Sequence, residues 1–326
     1  MAKKKTVKKS YRHIIQLLFA GLSNSFVTGF IAGKIYRGNL KYMCHPGLNC
    51  YSCPGAVLSC PIGSLQAVLG SRAFAFSTYV FGIILLFGAI LGRAVCGFLC
   101  PFGYIQELLY KIPFPKKINN FKYDRKLRFI KYILLVVLVI ALPMALKTQG
   151  DSSPTFCKYV CPAGALEAGV YHVTRDRLVN TAPVVAQNIL PTGNMPVIQI
   201  APGATAFSSP QMRIGFLFWW KISIMAFVLL LSIMMYRPFC KYLCPLGAIY
   251  GIMNPVSLYR LNLNKNTCIS CGRCKKSCLM GLDPVTELNH PECVRCGDCV
   301  SSCPTSALTI GFQLGIKKPE TEEKIS

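Results

Sequence analysis

The sequence predicts an α-helical membrane protein, with four transmembrane helices and a small α+β domain at the C-terminal end. Three observations lead there. The chain of 326 residues is 52% hydrophobic, and its mean hydropathy of +0.43 is too apolar for an ordinary soluble protein. Four stretches are long enough to cross the roughly 30 Å hydrocarbon layer as helices. Eighteen cysteines fall into tight C-x2-C and C-x3-C spacings beside those stretches, which suits metal ligation better than a secreted disulfide framework.

A net charge of +24 would suit nucleic acid. Its distribution argues against that partner. The basic residues border apolar stretches, as membrane anchoring requires, and Tyr and Phe are scattered along apolar segments instead of sharing a basic face.

Residues 1–13 form a basic N-terminus with six Lys/Arg, and no small-residue cleavage site follows cleanly. Residues 14–261 form the membrane domain. Its expected spans are Ile14–Gly33, Ala73–Gly92, Phe129–Leu146 and Ile214–Tyr236. Gln16, Ser23, Asn24, Ser25 and Thr28 interrupt the first, and those polar groups are expected to face other helices. Trp219 and Trp220 read as an interfacial belt in the fourth, with Lys221 able to snorkel from the same end. The connection Arg93–Arg128 holds eight Lys/Arg, against four in Lys34–Arg72 and five in the long Lys147–Arg213. The positive-inside rule then puts both termini and Arg93–Arg128 in the cytoplasm. The loop Tyr171–Gln211 has no core of its own. Residues 262–312 form the C-terminal domain, and 313–326 a flexible tail.

An internal repeat organises the membrane part. Arg93-x2-Cys96-x3-Cys100-Pro101-x-Gly103 matches Arg237-x2-Cys240-x3-Cys244-Pro245-x-Gly247 position for position. The Cys-Pro-x-Gly core recurs at Cys60 and Cys161, and six residues after each cysteine stands a hydrogen-bonding side chain: Gln66, Gln106, Glu167 and Tyr250. Proline suits a first helical turn, so each cysteine before it sits at a helix start, where the dipole favours negative charge. A helix-start signal without chemistry is the bland alternative.

The most specific motif is Cys268-x2-Cys271-x2-Cys274-x3-Cys278, followed by Cys293-x2-Cys296-x2-Cys299-x3-Cys303-Pro304. In such a doubled run, three thiolates reach one cubane and the fourth is carried to the other. Cys268, Cys271, Cys274 and Cys303 are therefore assigned to one [4Fe–4S] cluster, and Cys293, Cys296, Cys299 and Cys278 to a second. The register resembles the bacterial two-cluster ferredoxin, although Leu279 stands where that pattern often has Pro. Zinc is the competing reading.

Cys96, Cys100, Cys240 and Cys244 all fall on the inner side, where two matched pairs can hold a third cluster whose charge Arg93, Arg237 and Lys241 would offset. Separate structural thiols are the alternative. The outer cysteines fit either a further cluster, using Cys50, Cys53, Cys60 and one of Cys157 and Cys161, or, with Cys44, one or two disulfides; spacing leaves both open. His45 reads as a loop histidine before a ligand, and Glu107 and Glu167 as solvated helix-end carboxylates before proton acceptors.

Four spans, repeated Cys-x3-Cys-Pro motifs and a double cluster resemble the NapH-type membrane ferredoxins, with NosR-type and CcoG-type polyferredoxins as related branches. The motifs at Cys96/Cys100 and Cys240/Cys244 carry the resemblance. It implies an electron-transfer subunit of a quinol dehydrogenase-like system in a prokaryotic inner membrane, drawing on the quinone pool and feeding a partner redox protein. Its branches also imply an alternative, a maturation or regulatory factor that reduces a metal or thiol during assembly of a respiratory enzyme. The extra motif at Cys157/Cys161 and the group Cys44–Cys60 depart from the simplest family pattern.

Overall fold

The computed structural model describes residues 11–70, 78–115, 117–118, 123–147, 154–181 and 215–313. Residues 1–10 of the basic N-terminus, 73–77 and 214 of two expected spans, 182–211 of the long loop and the tail from 314 lie outside the described residues.

The first expected span is not one helix. Helix α1 (Arg12–Ser23) ends at the Ser-Asn-Ser run, and α2 (Thr28–Ala32) is a separate short helix. The cause is local competition for backbone groups. Asn24 bonds back to Ala20 O through its side chain (3.1 Å), while Phe26 N and Val57 N tie the break to the following loop through Gly55 O and Ser23 O.

Helix α1 also inverts the soluble pattern. Arg12, Gln16 and Ser23 are its buried residues, while Leu17, Leu18 and Leu22 are 60–71% exposed. An apolar face turned outward over a polar face turned inward suits lipid.

Among the described residues, two helices are long and apolar enough to cross a membrane: α7 (Asp124–Leu146) and α11 (Phe216–Met234). Both leave large side chains outward, including Phe129, Ile133, Phe227 and Leu230. Helix α4 (Thr78–Ile90) is as apolar but shorter over its described length. A π segment, Leu135–Ala141, widens α7 at its middle; such bulges often mark functional sites.

Short helices carry the cysteine motifs: α3 (Pro61–Gly70), α5 (Ala94–Phe98), α6 (Pro101–Tyr110), α8 (Thr155–Tyr159), α9 (Pro162–Gly164) leading through a π turn into α10 (Val170–Thr181), α12 (Pro238–Tyr242) and α13 (Pro245–Met253). They enclose one core, in which Cys60, Cys96, Cys100, Cys161 and Cys244 pack with Phe102, Phe156, Phe239 and Leu246. The loop between α2 and α3 folds into this core. Pro46 O accepts from Tyr250 (2.8 Å), and a Cβ on Gly47 would lie 2.9 Å from Cys100 Cα, so only glycine fits.

The C-terminal domain pairs β1 (Tyr259–Leu263) with β2 (Leu308–Phe312) antiparallel, beside α14 (Arg273–Ser277) and α15 (Asp298–Ser301). Strand β1 thus begins ahead of the expected boundary at residue 262. Each C-x2-C-x2-C turn curls through two left-handed residues flanking its middle cysteine: Ser270 and Gly272 (φ 51° and 67°), then Arg295 and Gly297 (φ 53° and 85°). A non-glycine residue held there stores strain, and for Arg295 the compensation is visible. Its guanidinium donates to Leu91 O (3.2 Å), Tyr259 O, Asn254 O and Ser257 Oγ, fixing the domain to the ends of α4 and α13.

Candidate iron–sulfur centres

Eight of the eighteen cysteines line two cavities in the C-terminal domain. None of the eighteen is disulfide-bonded. In the C-terminal domain one cavity is lined by Cys268, Cys271, Cys274 and Cys303, and a second by Cys278, Cys293, Cys296 and Cys299. The fourth cysteine of each run lines the cavity of the other run.

Ahead of that domain, Cys96, Cys100, Cys240 and Cys244 lie within charge-interaction range of one another. The repeat becomes a pseudo-twofold. Arg93 Nη2 donates to Cys240 O at 2.9 Å, and Arg237 Nη1 donates to Cys96 O. Gln106 is a two-handed clamp: its Nε2 lies 3.3 Å from Cys240 Sγ, and its Oε1 accepts from Phe239 N at 3.1 Å. Cys100 and Cys244 cap α6 and α13, accepting from Gly103 N and Gly247 N at 3.4 Å each. The helix ends do not by themselves make thiolates. Burial pushes the Cys100 thiol up to about 12 and Cys96 and Cys244 upward as well, outweighing a dipole worth about 0.3–1 kcal/mol. Metal coordination, which requires the deprotonated thiol, would have to draw on the neighbouring cations.

Those cations are Arg93, Arg237 and Lys131, all within range of Cys96. Lys241, the third cation expected from the sequence, turns instead to Asp124 at 2.6 Å. Arg93 and Lys131 share Glu292, and Arg237 and Arg12 share Glu107. Glu107 is therefore not a solvated carboxylate; it is 4% exposed and locked into ion pairs. Arg93 Nε and Arg237 Nε stay buried without partners, a donor surplus that an anionic cluster with sulfide acceptors would satisfy. Among the described residues no three His, Cys, Asp or Glu converge as ligands of one metal ion.

The second cavity adjoins this quartet. A Cβ on Gly97, between Cys96 and Cys100, would stand 2.6 Å from Val294 O, between Cys293 and Cys296. Asn254 knits the two together, accepting from Arg93 N (3.1 Å) and donating to His290 O (2.8 Å) and Cys293 O (3.0 Å). Sequence reasoning missed Asn254, Glu292 and Lys131, for which no repeat or spacing gave a signal; Gln66 and Gln106 were visible as the recurring sixth position.

Of the outer cysteines, Cys50, Cys60 and Cys161 interact electrostatically with one another and with Cys157. Cys53 is also within charge range of Cys50, and its Sγ lies 3.9 Å from Asn24 Oδ1. Glu167 Oε2 accepts from Cys50 N at 2.6 Å, and desolvation lifts its carboxyl to about 7. His45 is wholly buried, accepts from Gly47 N through Nδ1 (2.8 Å) and leaves Nε2 without a partner.

Comparison with known proteins agrees on the chemistry. Two domain families, both described as "4Fe-4S binding domain", match the chain, one at residues 74–121, 132–180 and 217–265 and the other at 287–309. The chain therefore carries ferredoxin-type 4Fe–4S binding domains. It is 27% identical over 215 residues to an uncharacterized protein of Methanocaldococcus jannaschii, covering 64% of this chain and 67% of that one. It is 26% identical over 206 residues to the regulatory protein NosR of Stutzerimonas stutzeri, covering 61% of this chain and 22% of NosR. Over 60 residues it is 38% identical to the methylamine utilization ferredoxin-type protein MauN of Paracoccus denitrificans, covering 18% of this chain and 21% of that protein. No solved structure matches.

Proposed function

We propose that this chain is a multi-pass protein of a prokaryotic inner membrane, with both termini cytoplasmic, that relays single electrons between the quinol pool and a partner redox protein. The observation that carries the reading is the contact of Val294 O with Gly97, which sets the inner cysteine quartet directly against the second C-terminal cavity. Cys268, Cys271, Cys274 and Cys303 would hold one [4Fe–4S] cluster; Cys278, Cys293, Cys296 and Cys299 a second; Cys96, Cys100, Cys240 and Cys244 a third. Bound clusters would supply one-electron chemistry. The chain's own residues do the rest: Arg93, Arg237 and Lys131 offset negative charge at the inner site, and Asn254 and Arg295 hold the C-terminal domain in register. Cys271 is the one exposed cysteine of the eighteen, and its loop carries exposed Ile269 beside Arg273, Lys275 and Lys276. That face suits a soluble redox partner with an acidic surface.

The test is anaerobic iron and sulfide analysis with quinol-driven reduction of the C-terminal signals. Cys96→Ser and Cys240→Ser are each expected to remove the same four-iron increment and slow that reduction while sparing the C-terminal spectra. Full iron and wild-type rates in both variants would sink the reading. The similarity to a protein named regulatory favours a second reading, in which the same relay reduces a metal or thiol during assembly of a respiratory enzyme; it predicts low quinol turnover.

A further inference from the structure

We propose that Cys50, Cys60, Cys157 and Cys161 form a further [4Fe–4S] site, a displaced copy of the inner quartet in which a loop cysteine replaces a missing motif cysteine. Cys60 and Cys161 precede Pro61 and Pro162 as Cys100 and Cys244 precede Pro101 and Pro245. Cys157 precedes Cys161 by four residues, as Cys240 precedes Cys244. The remaining position, four before Cys60, is Ala56, which has no thiol.

The fold supplies Cys50 instead. Its Sγ lies 3.6 Å from where a Cβ on Gly164 would stand, and Cys157 Sγ lies 3.9 Å from the same point on Gly63. These are the glycines three residues beyond Cys161 and Cys60, so each leaves room for a thiol from the opposite side of the site. The clamp is repeated too. Gln66 Oε1 accepts from Phe156 N at 2.9 Å and Gln66 Nε2 lies 3.5 Å from Cys157 Sγ, as Gln106 does with Phe239 and Cys240. The Cys50 amide is held by Glu167 at 2.6 Å.

Cys53 and Cys44 each have a side-chain partner outside this quartet, although Cys53 stays within charge range of Cys50. Cys53 faces Asn24, and Cys44 bonds with the Ser64 side chain. Tyr250, fully buried, lies within charge range of Cys96, Cys100 and Cys244 on one side and Cys60 on the other. The new site would thus extend the proposed relay by one centre. Its ligation stands independently of whether quinol is the donor.

The experiment is an iron and acid-labile sulfide count on the full-length protein, purified and reconstituted anaerobically, with Mössbauer spectra of the wild type. About sixteen irons per chain are expected, four for each of four sites. Cys60→Ser and Cys161→Ser should each remove the same four, with C-terminal spectra intact, while Cys53→Ser keeps the full count. A wild-type count of about twelve, from which Cys96→Ser removes four and Cys60→Ser none, overturns this site and leaves the relay reading standing. Loss of iron in Cys53→Ser equal to that in Cys60→Ser overturns the ligand assignment. If Cys60→Ser removes four and Cys96→Ser none, this site is upheld and the inner one fails.

Discussion

The inner and outer quartets are built from the same repeat and sit in different electrostatic surroundings. Around Cys96, Cys100, Cys240 and Cys244, Arg93, Arg237 and Lys131 bring buried positive charge, partly balanced by Glu292 and Glu107. Around Cys50, Cys60, Cys157 and Cys161 the ionisable neighbours include one desolvated carboxyl, Glu167, with Cys53 and Lys41 in charge range of Cys50 and Lys221 in charge range of Cys157. Glutamine clamps recur in both; the arginine cross-braces belong to the inner one alone. A duplicated helix-start motif therefore supplies a ligand frame, and the chain around it decides the charge. Net charge and hydrogen bonds to sulfur set cluster potentials, so one frame can serve centres of different potential in one molecule.

The sharpest way to break this comparison is to remove a cross-brace. Arg93→Leu leaves Glu292 buried with Lys131 alone and frees the C-terminal domain at Pro291 O; losing one partner of a buried pair costs about 3–5 kcal/mol. Thermal unfolding in detergent should show that loss, with the C-terminal signals broadening first. Arg237→Leu should destabilise without that broadening, because its acid, Glu107, lies within the membrane part. Equal broadening in both variants would mean that the two arginines do not divide the work in this way.

A smaller effect is expected at the contact between the two regions. Gly97→Ala places a methyl 2.6 Å from Val294 O, a backbone atom that cannot swing aside. Overpacking of this kind costs about 1–3 kcal/mol, and the prediction is slower reduction of the C-terminal clusters at unchanged iron content. Gly103→Ala, with 3.1 Å to Cys96 O, serves as the milder control.

The smallest effects compare the two clamps directly. Gln106→Leu and Gln66→Leu each leave a buried amide, Phe239 N or Phe156 N, without its acceptor, at a cost of about 1–3 kcal/mol. Each also removes a donor to sulfur, which should lower the potential of its own centre and not the other. Redox titration of the paired variants checks this, and a shift shared by both centres would show that the quartets are not separate sites.

Much of this architecture was legible in the chain. The two C-terminal runs carry their grouping in spacing that spans only a few residues, so the crossing of Cys278 and Cys303 between cavities could be read directly. The inner quartet was legible because Arg93–Gly103 and Arg237–Gly247 repeat position for position. The apolar character of α7 and α11 follows from composition alone.

Tertiary structure alone decided the rest. The placement of the Cys50 Sγ beside Gly164 depends on how the loop after α2 folds back, which the Cys50-x2-Cys53 spacing does not specify. The break of α1 at Asn24 depends on Gly55 O and the Val57 amide, supplied some thirty residues later. The seating of the C-terminal domain rests on Asn254, Glu292 and the strained Arg295, whose partners are remote in the chain. Ligand spacing is local information and survives in the sequence; the choice of partner for a buried polar group is made only when distant segments pack, because its desolvation must be met by whatever the fold brings there.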